Sequence, residues 1–219
     1  MIDAAYRAAY ERVFGELLAG AAPGSFDEMA LPSYTHSNRA MAWLFWKRLD
    51  VAFELAGDLA GKSVLDFGCG GAVSFRRLSA QGCRITGCDR DAQALAREVC
   101  RRLGLRAEVV ADLDELAGHG FDLILALDVL EHVDELAGYL RRFAGLLAPG
   151  GRLVVSGPTE NLLYRLGRRL AGFSGHYHVR NIYDIEQGLR GAGFQSLAVR
   201  TLYHPLPLFR VSSWRRAGQ

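Results

Sequence analysis

The run Val64-Leu65-Asp66-Phe67-Gly68-Cys69-Gly70-Gly71-Ala72 is an apolar stretch that ends in an acid and turns through glycines into a helix-like segment. Glycines at such a turn let the backbone approach a ligand closely, and a helix start offers unpaired N–H groups. Two further acids follow. Asp89 stands twenty-one residues after Gly68, and Asp112 follows the strand-like stretch Arg106 to Ala111. An acid at the position of Asp89 can accept both hydroxyls of a ribose in the crevice beyond a parallel sheet. The bland alternative for Asp89 is a helix cap, for which Asp91 is better placed, and Asp112 has the same alternative. A nicotinamide site would want G-x-G-x-x-G, and Val73 stands where its third glycine should be.

The segment Asp128-Val129-Leu130-Glu131-His132-Val133 adds a histidine able to take a proton from a hydroxyl, or simply to pack. His176, Tyr177 and His178 sit together further on, but two histidines with Asp184 nearby are too few for a metal site, and no metal is expected. Loop histidines of purely structural role are the alternative.

The elements that must carry these residues follow from the spacing of apolar positions. Tyr6, Tyr10, Val13, Phe14, Leu17 and Leu18 recur at helical intervals and predict a helix over residues 1–20. A loop is expected over 21–39, then a very apolar helix through Trp43, Trp46, Leu49 and Phe53 up to Gly57. From Gly61 strand-like runs alternate with helix-like ones, as in a doubly wound parallel sheet. Strands are expected near 63–67, 84–88, 106–110, 122–127 and 151–156, and helices near 72–81, 91–103, 134–147 and 159–171. Ala148-Pro149-Gly150-Gly151 reads as a helix stop and a tight turn. After an irregular stretch come a helix near 184–192 and two strands, Phe194 to Tyr203 and Leu208 to Trp214, joined through His204-Pro205-Leu206-Pro207. A helix carrying Leu162, Leu163, Leu166 and Leu170 beside Arg165, Arg168 and Arg169 suits a membrane surface or a lipid acceptor, although a core-facing stripe is commoner.

The bulk properties narrow the classes. The chain has 219 residues, half of them hydrophobic, so one sizeable α/β domain with an appended element is expected. Its net charge is only +2, from 26 basic against 24 acidic residues, which argues against a dedicated nucleic-acid binder. Cys69, Cys83, Cys88 and Cys100 form no C-x-x-C pair and are expected as reduced thiols in the cytoplasm. The first residues do not read as a secretory leader, and no apolar run approaches the ~20 residues of a membrane span.

Taken in order, the acid-and-glycine turn, Asp89, Asp112 and Leu130-Glu131-His132-Val133 resemble a class I S-adenosylmethionine-dependent methyltransferase of the small-molecule type, akin to those of ubiquinone biosynthesis. Asp66, Gly68 and Gly70 match that pattern, while Ala72 with Gly71 beside it replaces a usual further glycine. The resemblance covers about residues 61–203. It implies a Rossmann-like, doubly wound, seven-stranded α/β sheet with an antiparallel C-terminal hairpin. It also implies a helical cap over residues 1–60, a main domain over 61–219 and an acceptor-side insertion at about 172–183. The implied acceptor is a small molecule of secondary-metabolite, quinone or lipid-like character, methylated at oxygen or nitrogen, and the implied cofactor is S-adenosylmethionine, converted to S-adenosylhomocysteine. Its contacts would be Asp66, Gly68, Cys69, Gly70, Asp89 with Arg90, Asp112 with Leu113, and Asp128 with Val129. Asp89 would hold the ribose, Asp112 the adenine amino group, and backbone near Asp128 the methionine moiety. Tyr34, His36, Trp43, Tyr177 and Tyr183 would line the acceptor. A general base, if the acceptor is a hydroxyl, would come from His132, His176 or His178. A protein of this fold that binds the cofactor but performs other chemistry, or assists another enzyme, is the alternative.

Overall fold

Strands buried on both faces show runs of consecutive apolar residues rather than alternation. Such runs dominate this chain's sheet. The computed structural model describes residues 4–19, 34, 39–159, 180–203 and 207–218. Among these, the helices are α1 (Ala4–Ala19), α2 (Arg39–Ala56), α3 (Phe75–Ala80), α4 (Gln93–Leu103), α5 (Leu136–Leu146) and α6 (Ile182–Gly191). The strands are β1 (Ser63–Phe67), β2 (Arg84–Cys88), β3 (Glu108–Val110), β4 (Phe121–Leu127), β5 (Leu147–Pro158), β6 (Phe194–Leu202) and β7 (Phe209–Arg216). They form one seven-stranded sheet in the order β3-β2-β1-β4-β5-β7-β6, the Rossmann-like arrangement with a final antiparallel hairpin. No helix of the described residues is long and apolar enough to cross a membrane.

Two compact units emerge, each with its own core. The first comprises Met1–Asp50 and Asp58–Ala117. In it β1, β2 and β3 lie parallel, with Phe67 opposite Cys88 and Cys88 opposite Val110, so the carboxyl ends of three strands come level. Val64, Leu65, Ile85, Val109 and Val110 are buried between the flanking helices. Helix α4 turns Leu95, Ala96, Val99 and Cys100 inward and ends at Gly104 in the left-handed conformation, which glycine adopts without strain. Helix α1 packs on α4, and Arg102 reaches across to Glu16 at 3.0 Å. Tyr10, Phe14, Tyr34, Phe45 and Trp46 make an aromatic cluster: Tyr10 stacks on Phe14 at 5.6 Å and meets the edge of Trp46 at 6.0 Å. Residues 4–19 and 39–50, expected within a helical cap, thus fall in the same compact unit as the first three strands.

The second unit comprises Val51–Gly57 and Gly118–Gln219. Here β4 and β5 are parallel, and β7 runs antiparallel to both β5 and β6. Trp214 is fully buried on β7. Asn181 caps α6, accepting from the amides of Tyr183 and Asp184 while the Asp184 carboxylate accepts from the Asn181 amide, a reciprocal capping box.

Three local expectations are corrected. Residues 72–74 belong to the turn, and α3 starts only at Phe75, because Ala72 sits at φ +59°, outside helical torsions. Asp91 does not cap α4: its N-cap is Ala92, and Asp89 takes the free amides instead. The stretch 148–151 is an excursion within β5 rather than a turn ahead of it. Leu147 already pairs with Phe121, and pairing resumes at Leu123 opposite Arg152. Gly151 makes this possible, since a Cβ there would stand 2.8 Å from the carbonyls of Ala148 and Phe121.

Candidate cofactor site

The level ends of β1, β2 and β3 bring together what the sequence separates. Gly68 donates its amide to the Cys88 carbonyl at 2.8 Å, and Asp89 donates its own to the Val110 carbonyl at 3.1 Å. The glycine turn, Asp89 and Asp112 thus follow three adjacent strand ends. Gly68 and Gly70 have φ of +72° and +49°, torsions that side chains disfavour. Ala72 adopts +59° with a buried methyl, a torsion that glycine would take without strain.

Asp89 ties the turn to the next helix. Its Oδ2 accepts from the Gly70 amide at 2.9 Å, and Oδ1 accepts from the amides of Asp91 and Ala92 at 3.1 and 2.8 Å. A carboxylate offers about four acceptor positions, so one remains for a hydroxyl after these three bonds. Asp112 caps a short 3-10 helix, Leu113–Leu116, accepting from the Asp114 amide at 2.8 Å, and its side chain is exposed while Leu113 is buried. Arg90 is exposed and lies 3.5 Å from Asp91.

Asp66 and Cys69 have a different setting from the acids at the strand ends. The Asp66 side chain is buried and accepts a hydrogen bond from the Ser74 hydroxyl. Burial pushes its carboxyl up to about 7, against the pull of the Ser74 bond and with the help of the nearby Asp89 charge. Burial likewise pushes the Cys69 thiol well above its ordinary range, so it is a packed thiol rather than a nucleophile. Its sulfur lies 2.8 Å from where a Cβ on Gly87 would stand, so Gly87 is what gives the turn room to sit on β2.

In the second unit Asp128 follows β4 at φ +53°, a non-glycine residue in the left-handed region. Its amide donates to the Ser156 carbonyl at 3.1 Å, and the Ser156 hydroxyl donates to its Oδ1 at 3.0 Å. Val129 is half-buried, Glu131 buried and His132 exposed, with the His132 amide donating to the Val129 carbonyl at 3.1 Å. Arg180 holds this loop, donating to the carbonyls of Val133 and Asp134. Tyr183 is 47% exposed at the start of α6, with the Arg210 guanidinium 5.4 Å above its ring and Glu186 buried beneath, 2.8 Å from Arg210.

Of the residues expected to line an acceptor, Tyr34 is buried rather than open. Its ring packs against Phe45 and Trp46 at 5.7 and 5.2 Å, and Arg48 donates to its hydroxyl. Trp43 is 52% exposed on α2. His36, His176, Tyr177 and His178 lie outside the described residues, as does the helix expected over 159–171 with its arginines. Sequence reasoning missed Ser74, Ser156, Arg180 and Tyr10, all of which act by bonding to backbone or to a functional acid. Nothing in their spacing marks them: the partners of Ser156, Arg180 and Tyr10 are distant in sequence, and Ser74 meets Asp66 only because the turn folds back on itself.

The strand order and the acid-glycine turn define the fold of the class I methyltransferases. The chain belongs to the methyltransferase domain family, which matches residues 35–199. It is 33% identical over 120 residues to the ubiquinone biosynthesis O-methyltransferase of Sodalis glossinidius, a match covering 52% of this chain and 48% of that protein. The chain spans about half the length of such relatives in these matches. Its fold resembles magnesium protoporphyrin IX methyltransferase from Synechocystis PCC 6803, solved with S-adenosylhomocysteine, at TM-score 0.65 and 22% identity over 83% of this chain and 89% of that one. It also resembles the [4+2]-cyclase SpnF at TM-score 0.61 and 18% identity, covering 78% and 80%.

Proposed function

We propose that this chain transfers the methyl group of S-adenosylmethionine to an oxygen of a small-molecule acceptor. The observation that carries the reading is the convergence of Gly68, Gly70, Asp89 and Asp112 on three adjacent strand ends. Gly68 and Gly70 have no Cβ to keep a ligand from the backbone. Asp89 would accept a ribose hydroxyl, and Asp112 the adenine amino group. Cys69, Arg90 and Leu113 flank these residues, and Asp128 and Val129 are proposed for the methionine moiety. Asp66 holds Ser74 and acts from beneath the turn.

The cofactor supplies an activated methyl group, so the protein's share of catalysis is positioning and exclusion of water. Transfer to a hydroxyl also requires that its proton be removed. His132 is exposed on the loop that Arg180 braces and is a candidate base, with His176 and His178 as the others. Tyr183, Trp43, His36 and Tyr177 are proposed acceptor contacts, and the buried Tyr34 would support them through its packing on Phe45 and Trp46. Relatives named for O-methylation in ubiquinone biosynthesis support an oxygen acceptor of quinone-like, secondary-metabolite or lipid-like character. The reading places the protein in the cytoplasm, with at most peripheral membrane contact and no nucleic-acid partner. The cyclase among the similar folds keeps a second reading in view, a cofactor-binding protein of other chemistry.

Calorimetry tests the first step. Asp89→Ala is expected to weaken S-adenosylmethionine binding by about 1.5–3 kcal/mol, the worth of a charge-assisted hydrogen bond. Unchanged affinity removes Asp89 from the site. For the base, alanine at the responsible histidine is expected to cut turnover by roughly 10²–10⁴-fold with cofactor affinity unaltered. If single variants of His132, His176 and His178 all keep normal turnover, no histidine is the base.

A further inference from the structure

The glycine turn is held from two sides. Within the turn and from the end of β2, the Cys69 carbonyl accepts the Ala72 amide at 2.8 Å and the Asp89 carboxylate accepts the Gly70 amide. From the other side come two tyrosines of α1. The Tyr10 hydroxyl donates to the Gly71 carbonyl at 3.0 Å, and the Tyr6 hydroxyl donates to the Val73 carbonyl at 3.4 Å. Tyr10 is fully buried, and its ring is fixed by Phe14 and Trp46. The peptide joining Gly71 to Ala72 is therefore fastened at both ends, carbonyl to Tyr10 and amide to Cys69.

That fastening matters because of where the peptide lies. Turning this peptide over changes ψ of Gly71 and φ of Ala72, and Ala72 is held at φ +59°, a torsion that alanine disfavours, so the turn favours the flipped arrangement unless the peptide is bonded. A flip would exchange carbonyl for amide along the turn. A turn that samples both arrangements binds only in the competent fraction of its time, and apparent affinity falls by that fraction.

We propose that Tyr10 is a positioning residue for the cofactor turn, its hydroxyl locking the peptide between Gly71 and Ala72 so that α1 and the cofactor are coupled. The inference rests on the cofactor reading above. By linkage, a ligand that needs the locked turn must in return secure α1.

The test titrates S-adenosylhomocysteine into the wild-type chain, Tyr10→Phe and Val13→Ala by calorimetry, with thermal unfolding of each alone. Tyr10→Phe keeps the ring and removes only the hydroxyl. Val13→Ala loosens the same buried face of α1, and Val13 makes no hydrogen bond to the turn through its side chain. The expected result is affinity about 5- to 30-fold weaker for Tyr10→Phe, the loss of one buried hydrogen bond, and unchanged for Val13→Ala even where its unfolding temperature falls as far. Amide exchange in α1, followed by NMR, is expected to slow on binding in the wild type and to slow less in Tyr10→Phe. Equal affinity in Tyr10→Phe and wild type overturns the inference. So does equal weakening in both variants, which would make the effect one of helix docking at large. A wild-type chain that does not bind S-adenosylhomocysteine overturns the cofactor reading itself, and this inference with it.

Discussion

Asp66 shows how a single buried acid can be both placed and penalised by its surroundings. Its carboxyl is removed from water, bonded by Ser74 and near Asp89, and titrates at about 7 rather than 3.8. The folded chain therefore holds a proton that the unfolded chain has released between about pH 4 and 7. Stability from this site is intact below that window, falls as pH rises through it, and stays lost above. Asp66→Asn keeps an oxygen for Ser74 and cannot ionise. Urea unfolding at pH 5 and pH 8 is expected to show the variant gaining on the wild type by a few kcal/mol at the higher pH. Parallel pH profiles for the two proteins would mean that Asp66 does not titrate in this range.

At the scale of elements, two short stretches depend on glycine for different reasons. Gly70 needs its positive φ, and a β-branched side chain there is strained whatever space surrounds it. Gly70→Val is expected to abolish S-adenosylmethionine binding while circular dichroism remains that of the folded chain. Normal binding would show that the turn does not cradle the ligand. Gly151 is constrained by space, not torsion, because any Cβ meets two backbone carbonyls at 2.8 Å. Gly151→Ala is expected to cost about 1–3 kcal/mol of stability in denaturant unfolding, with cofactor affinity unaffected. A neutral Gly151→Ala would show that β5 can take up the excursion in another form.

For the whole molecule, the cofactor reading makes a simple demand. A ligand that binds only the folded chain stabilises it by about 2.7 kcal/mol at a hundred times its dissociation constant. For a chain of this size that amounts to a rise of roughly 5–10 °C in the unfolding temperature. Scanning fluorimetry is expected to show this rise with S-adenosylhomocysteine and none with NADH. The opposite pattern would revive the nicotinamide reading that Val73 argues against.

Local sequence determined the elements and the order of the functional acids. Strand β1 at 63–67 and β2 at 84–88 fall where the apolar runs put them, because consecutive apolar residues bounded by glycine or an acid have few ways to be buried. The acid-glycine turn was equally legible, since its torsions need particular residues at particular places. What touches that turn was not. Tyr10 reaches Gly71 across sixty-one residues, and Ser156 reaches Asp128 across twenty-eight. In the sequence Tyr10 is one aromatic on a helical stripe, and Tyr34 reads as readily as an acceptor contact as a core ring. Asp89 was foreseen as a ligand-binding acid, but not as the group that gathers the amides of Gly70, Asp91 and Ala92. Hydrogen bonds between distant segments depend on how the chain folds back on itself, and residue spacing carries no record of that. Only the tertiary structure decided which polar groups are buried, which bonds hold the turn, and that α1 lies in the same compact unit as the strands whose ends carry it.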